Sequence, residues 1–259
     1  MDDVTVGIIG GTGVYDVPGL ELEGQLPRST EYGEVTFNKG TYEASNGASV
    51  DVLFLPRHGS DHSIPPHRIN YRANIAALAS AGAGPILATA AVGSLREDLP
   101  PGRLVLLDQF LDFTRSRPST FFDGIGRVEH TDMTRPYDEG VRCLVTRAAR
   151  RAGVDLVDRG TYVCTEGPRF ETAAEVRMFA DLGGDVVGMT NVPEVVLARE
   201  LGLPYAALAL VTNLGAGISD DPLTHEEVLE AMDANRRQLG ALVGAFFEEV
   251  AAGDPRGEE

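Results

Sequence analysis

Val4-Thr5-Val6-Gly7-Ile8-Ile9-Gly10-Gly11-Thr12-Gly13 decides the fold: an apolar, β-rich run that stops abruptly at a cluster of glycines. A short apolar stretch bounded by such a turn reads as a buried strand. Directly after a strand, bare backbone N–H groups and the Thr12 hydroxyl can surround an anion. The turn is not a Walker A loop, because no Gly-Lys-Ser/Thr follows. Nor is it a dinucleotide fingerprint, because Asp16 stands where the third glycine belongs. A tight turn without a ligand is the competing reading.

Working outward, comparable runs recur at Val50 to Leu55, Ile86 to Val92, Leu104 to Leu107, Val186 to Gly188 and Tyr205 to Val211. Helix-like segments fall between several of them: Asn70 to Ala81, Arg142 to Ala152, Thr172 to Leu182, and Pro193 to Leu201 with Pro193 suited to a first turn. The alternation predicts an α/β fold with a central mixed sheet flanked by helices. Val228, Met232, Leu239, Val243, Phe246 and Val250 recur at helical steps and predict a long amphipathic C-terminal helix. No repeat or Pro/Gly/Ser linker divides the chain, so one domain over 1–251 is expected, with a frayed polar tail at 252–259.

Composition narrows the function classes. With 259 residues the chain can bury a substantial core, and no apolar stretch reaches the roughly 18 to 20 residues of a membrane span. Its formal net charge of −17 repels polyphosphate backbones and anionic membranes, so no nucleic acid or membrane partner is expected. The acidic start Met1-Asp2-Asp3 lacks the basic and apolar regions of a signal peptide, which predicts a cytoplasmic protein. Cys143 and Cys164 support neither a disulfide framework nor a CxxC zinc site and read as two buried small hydrophobes.

Chemistry concentrates in four further segments. Leu55-Pro56-Arg57-His58-Gly59-Ser60-Asp61-His62, with His67 and Arg68, gathers three of the five histidines and two arginines into twelve residues. Arg57 can fork onto an anion and His58 can add a donor, which suits phosphate. Metal is the rival, but Gly59 and Pro65-Pro66 oppose the helix that would put His58 and His62 on one face, and a solvated basic loop is the plain alternative. Thr161 to Thr172 reads as a strand, a Gly-Pro turn and a helix start; Phe170 and Glu171 at that junction can stack on and hydrogen-bond a flat heterocycle, or merely start the helix. Gly188-Met189-Thr190-Asn191-Val192-Pro193-Glu194 and Val211-Thr212-Asn213-Leu214-Gly215 follow predicted strands, where α/β sheets place ligands.

Taken in order, these blocks resemble the trimer-forming branch of the purine nucleoside phosphorylase and methylthioadenosine phosphorylase family. The resemblance runs from Val6 to Leu229, and its most specific stretches are Pro56-Arg57-His58-Gly59, Asn70-Tyr71-Arg72-Ala73-Asn74-Ile75, Ala91-Val92-Gly93-Ser94-Leu95, Glu166-Gly167-Pro168-Arg169-Phe170-Glu171-Thr172 and the block ending at Glu194. It implies reversible phosphorolysis, in which phosphate attacks C1′ of a purine nucleoside and the base departs with developing negative charge. By resemblance Thr12, Arg57, His58, the backbone around Ala91, and Thr190 bind phosphate, and Met189 packs at the ribose. Inorganic phosphate is a co-substrate, and no metal or organic cofactor is implied. Ala90 stands where methylthioadenosine-type members often carry a second Thr.

Three positions bear on the substrate. Adenine-using members carry Asp where this chain has Asn213; an amide donates to N7 and to a 6-keto oxygen, which suits hypoxanthine or guanine. Gly215, where methylthioadenosine-type members carry a further Asp, points the same way. Glu171 matches the 6-oxopurine branch and accepts the N1–H that adenine lacks, a mismatch worth roughly 1 to 3 kcal/mol. His225 matches the histidine that reaches a 5′-OH, against Val or Met in methylthio-specific members. The expected substrates are therefore inosine and guanosine, with 5′-methylthioinosine or 5′-methylthioadenosine as the alternative and a purine-binding sensor as the non-enzymatic rival. His130 resembles a residue lent by the neighbouring subunit of a homotrimer, with a plain surface histidine as the other reading.

Overall fold

The opening strand, β1 (Val4–Gly10), sends Val6 and Ile8 into one apolar core and Ile9 into another. A run without polar alternation is what a strand covered on both faces requires. The computed structural model describes residues 4–10, 17–126, 128–218 and 225–253, with the backbone alone at 225–229, 231, 232 and 234. Beside β1 lie β4 (Ser49–Pro56) on one edge and β5 (Ile86–Ser94) on the other, both parallel to it.

β4 continues antiparallel into β3 (Gly33–Glu43), which pairs with β2 (Leu20–Thr30). The sequence reading contains neither strand of this hairpin. β2 is an edge strand, exposed along most of its length and carrying Pro27, so its polar alternation hid it. Beyond β5 the sheet forks. One branch runs through β10 (Val186–Gly188), β9 (Thr161–Thr165) and β7 (Gln109–Phe113); the other runs through β11 (Tyr205–Leu214), β6 (Leu104–Leu106) and β8 (Leu156–Val157). Among the described residues the result is a mixed sheet of eleven strands.

Helices cover both faces. Ile75 and Leu78 of α1 (Tyr71–Ser80) join Val195 and Leu197 of α4 (Asn191–Glu200) in one core. Val145 of α2 (Glu139–Ala152) meets Leu242 and Phe246 of α5 (His225–Ala251) in the other. Asn70 and Asp138 cap the starts of α1 and α2 by accepting backbone N–H bonds, and Gly153 ends α2 at φ 65°. The short α3 (Ala173–Asp181) packs Val176 and Phe179 on Leu95, Val163 and Val187. In α4, Val192 is extended at φ −108°, ψ 130°, so the regular helix starts at Pro193 as the sequence implied.

The predicted stripe on α5 is buried at Leu239, Val243, Phe246 and Val250, while the side chains of Val228 and Met232 lie outside the described residues. Residues 254–259 of the expected tail also lie outside them. Both cysteines are free thiols, but only Cys164 is buried; Cys143 is half-buried, against the expectation for it. Among the described residues no helix is long and apolar enough to cross a membrane.

Candidate active site

The fork in the sheet opens the site. On one edge of β5, β1 pairs with Ile86 to Ala88 and β10 pairs only with Gly93 and Ser94. Between them Thr89 to Val92 have no ladder partner on that edge among the described residues. There the strand borders a cavity of about 760 Å³ lined by Thr89 to Gly93 and by residues following β4, β9, β10 and the end of β11. Within β5, Ala90 and Ala91 are the positions that are not buried. Unpaired backbone N–H groups at a cavity wall are available to a ligand.

Arg57, one residue past β4, is held by its own N–H on the Gly10 carbonyl, 3.1 Å away. Its side chain is almost fully buried. Nε and Nη2 donate to the two carboxylate oxygens of Glu194 at 2.8 Å each, and Nη1 donates to the Thr89 carbonyl at 2.7 Å. Burial opposes the charge on Arg57, but the Glu194 carboxylate outweighs it and raises its pKa. Glu194 also accepts from Tyr205, 2.7 Å away; Tyr205 accepts from the Asn191 amide, and Asn191 accepts from Tyr137. The alternative of a solvated loop paired with surface acids therefore fails for Arg57. Three of the guanidinium's five N–H groups are committed, leaving one on each terminal nitrogen.

His58 follows at the cavity wall. Its Nδ1 lies 2.9 Å from the Ile64 carbonyl, so in the neutral tautomer Nδ1 donates and Nε2 is the acceptor. Burial lowers its pKa, with the Arg57 charge adding to the effect. His62 stacks on His58 with ring centroids 5.6 Å apart, although the segment is a turn rather than a helix. The two rings meet, yet the described residues contain no group of three or more side chains able to hold a metal ion.

At the other end, Phe170 and Glu171 lie between β9 and α3. The helix start is supplied by Thr172 and Glu175 in a reciprocal capping box, and Arg169 engages Glu175, so Glu171 is left to the cavity. One Glu171 oxygen accepts from the Thr165 hydroxyl at 2.7 Å, and burial raises the carboxyl's pKa. Asn213 is aimed by a bulge: the register between β11 and β5 slips between Val211 and Asn213, leaving Thr212 extra. The Asn213 amide donates to the Leu214 carbonyl at 2.9 Å and accepts from the Thr212 hydroxyl at 2.9 Å. A Cβ on Gly93 would stand 3.0 Å from its Nδ2.

Met189 and Thr190 line the cavity between the two ends. Thr190 precedes α4 with no side-chain cap bond, so its hydroxyl is not spent on the helix. Thus the structure brings Arg57, His58, Ala91, Phe170, Glu171, Met189, Thr190 and Asn213 to one cavity. His130 is exposed and is not among the cavity residues. Thr12 lies outside the described residues, and His225 begins α5 with its side chain outside them. Sequence reasoning gave no role to Glu194 or Thr89, and passed over Arg117, whose only signal was a crowded Arg115-Ser116-Arg117.

A strand-end cavity holding a buried arginine, a histidine, an aromatic ring, a carboxylate and an amide has donors suited to an anion beside groups suited to a flat heterocycle. The chain belongs to the Phosphorylase superfamily, whose model matches residues 5–248. It is 52% identical over 95% of its length to the "Probable 6-oxopurine nucleoside phosphorylase" of Dictyoglomus turgidum, covering 91% of that protein. It is 50% identical over 92% to the 6-oxopurine nucleoside phosphorylase of Pyrococcus furiosus, covering 90% of it. Among solved structures, methylthioadenosine phosphorylase from Schistosoma mansoni in complex with adenine superposes with a TM-score of 0.90 at 35% identity, covering 97% of this chain and 93% of that one.

Proposed function

We propose that the protein is a purine nucleoside phosphorylase, a pentosyltransferase that reversibly cleaves 6-oxopurine nucleosides such as inosine and guanosine with phosphate. The observation that carries the reading is the pairing of Glu171 and Asn213 in the cavity that also holds Arg57 and His58. A carboxylate acceptor and an amide donor complement N1–H and N7 of a 6-oxopurine. Adenine would set its N1 lone pair against the carboxylate.

Phosphate occupies the Arg57 end, bound by the two remaining guanidinium N–H groups, the backbone at Ala91, the Thr190 hydroxyl and Thr12, with His58 Nε2 accepting from the hydroxyl of monobasic phosphate. Its oxygen forms a bond to C1′ as the C1′–N9 bond breaks, and the bonding electron pair leaves with the purine. Asn213 donates to N7, where negative charge develops, so this contact strengthens in the transition state. Phe170 stacks on the base, Met189 packs at the ribose, and His225 meets the 5′-OH. No metal or organic cofactor takes part. The enzyme works in the cytoplasm in purine salvage as a homotrimer, with His130 covering the 5′ end of a neighbouring site.

The methylthio alternative retains force from two comparisons: the fold is shared with a methylthioadenosine phosphorylase, and a relative 48% identical over 95% of this chain, from Methanothermobacter thermautotrophicus, is named "Probable S-methyl-5'-thioinosine phosphorylase". Phosphate-dependent release of free base decides between them, measured on inosine, guanosine, adenosine, methylthioadenosine and methylthioinosine with phosphate-free controls. Cleavage of inosine and guanosine is expected. Cleavage of methylthioinosine alone would remove His225 from the 5′-OH role, and methylthioadenosine cleavage would overturn the base-pocket assignment.

A further inference from the structure

Arg117 lies past β7, and its side chain is 1% exposed, beneath the cavity rather than in its lining. Four of its six hydrogen-bond acceptors are main-chain carbonyls, the others being the Tyr71 hydroxyl and, at 3.9 Å, the Cys164 sulfur. Nη2 donates to Thr165 and Glu166 at 3.0 and 2.7 Å, on the loop that leads to Phe170 and Glu171. Nη1 donates to Met189 and Val192 at 2.6 and 2.8 Å, on the loop that carries Thr190. Nη1 also donates to the Tyr71 hydroxyl at 3.1 Å, which itself donates to the carbonyl of Pro66 in the cavity wall. The guanidinium lies over the Tyr71 ring, 5.4 Å from its centroid, and Nε faces the Glu166 carboxylate at 3.5 Å. That carboxylate in turn accepts from the Arg115 N–H and the Ser116 hydroxyl, tying Arg117's own segment to the first loop.

The two loops also touch directly. A Cβ on Gly167 would fall 2.5 Å from the Met189 sulfur, so the first loop is bare where the second packs on it. One planar cation thus fixes four carbonyls, two on the loop bearing the base-contacting residues and two on the loop bearing the sugar- and phosphate-contacting ones. A planar fork can hold several acceptors in fixed directions, which a lysine ammonium cannot.

We propose that Arg117 is a positioning residue for phosphorolysis: it sets the spacing between the base-binding loop and the sugar–phosphate loop, and so the distance over which phosphate meets C1′. This rests on the substrate reading above. Arg117 bonds no side chain assigned to the base or to phosphate, so the loss is expected on turnover rather than on binding of either substrate. Misplacement by about 1 Å costs on the order of 100-fold in rate.

The test compares Arg117→Met and Arg117→Lys with wild type by inosine phosphorolysis and by amide hydrogen exchange. Arg117→Met is expected to lose about 100-fold in kcat with KM for inosine and phosphate within about threefold. Exchange should rise together in 165–172 and 188–192 and stay unchanged in α2. Arg117→Lys should recover roughly tenfold of the lost rate. A soluble Arg117→Met enzyme with kcat within threefold of wild type overturns the proposal, as does a loss confined to KM or exchange rising across the whole chain. Should Arg117→Met not fold, Arg117→Lys decides alone: a kcat about tenfold down with KM preserved supports the spacing role, and an unchanged kcat overturns it. If wild type leaves inosine uncleaved, the substrate reading falls, while exchange in the two loops still decides whether Arg117 joins them.

Discussion

Glu194→Gln tests whether the arginine of the cavity is held by charge. The Glu194 side chain is fully buried and that of Arg57 is 2% exposed, so water cannot replace a lost partner. Glutamine keeps the shape but turns an NH2 toward one of the two Arg57 donors, leaving a buried cation uncompensated. Removing one member of such a pair costs roughly 3 to 5 kcal/mol. For a chain of this size each kcal/mol lowers Tm by about 2 to 4 °C, so a fall of about 6 to 20 °C is expected. The decisive comparison is the double variant Arg57→Met/Glu194→Met. Replacing both charges with apolar groups of similar volume removes the desolvation penalty but leaves the Tyr205 hydroxyl and the Thr89 carbonyl without their partners, at about 1 to 3 kcal/mol each, so the double variant should lie about 2 to 6 kcal/mol below wild type and well short of the sum of its singles. Phosphorolysis should not return, because the two free guanidinium N–H groups are gone. The chain has no Trp, so urea unfolding would be followed by far-UV circular dichroism at one fixed protein concentration. A loss under 1 kcal/mol for Glu194→Gln, or a double variant destabilised by the sum of its singles, would refute the argument.

Two further outcomes follow from the base end. Burial raises the Glu171 pKa above 4.5, so the ionised acceptor is lost at a higher pH than for an ordinary carboxylate as the solution is acidified. The same shift makes this group favour the fold below its unfolded pKa and lose that contribution as pH rises through the native value. The kcat/KM profile for inosine should therefore fall on the acid side, and Glu171→Gln should lower kcat/KM by about tenfold or more and remove that limb; a limb that persists in the variant assigns it elsewhere. Asn213→Asp should shift preference toward 6-aminopurine nucleosides in competition assays, because the new carboxylate accepts from a 6-amino group, and unchanged selectivity would disprove the amide's role.

How far the sequence discloses the molecule depends on what each residue's partners are. β1, β4, β5, β6, β10 and β11 are legible because their apolar runs are buried on both faces. β2 is not, because its outer edge and faces meet water, and β7, at the other end of the sheet path, is a five-residue mixture of polar and apolar residues that are half-buried at most. The cavity's side chains are legible as identities at strand ends, since Glu171 and Asn213 offer a carboxylate and an amide that the sequence names. Their aim is not: it comes from a one-residue bulge at Thr212 and from a bare Gly93, both settled by strand register.

The same distinction explains why Arg57 is legible in the sequence while its partner Glu194 and the buried Arg117 are not. Arg57 looks like a free cation until Glu194, 137 residues later, takes two of its N–H groups, so the site presents directed donors rather than a bare charge. In an apolar cavity such a neutralised fork can receive an anion by hydrogen bonding without an unpaired charge waiting beforehand. Arg117 binds carbonyl oxygens, which every residue possesses, so no spacing of side-chain types marks its partners. Both arginines lie where the sheet forks: between the stretches of β5 paired with β1 and with β10, no strand ladder on that edge holds the flanking loops among the described residues. Arg57 ties the β4 end to Thr89 and Glu194, and Arg117 ties the β9 and β10 loops to each other.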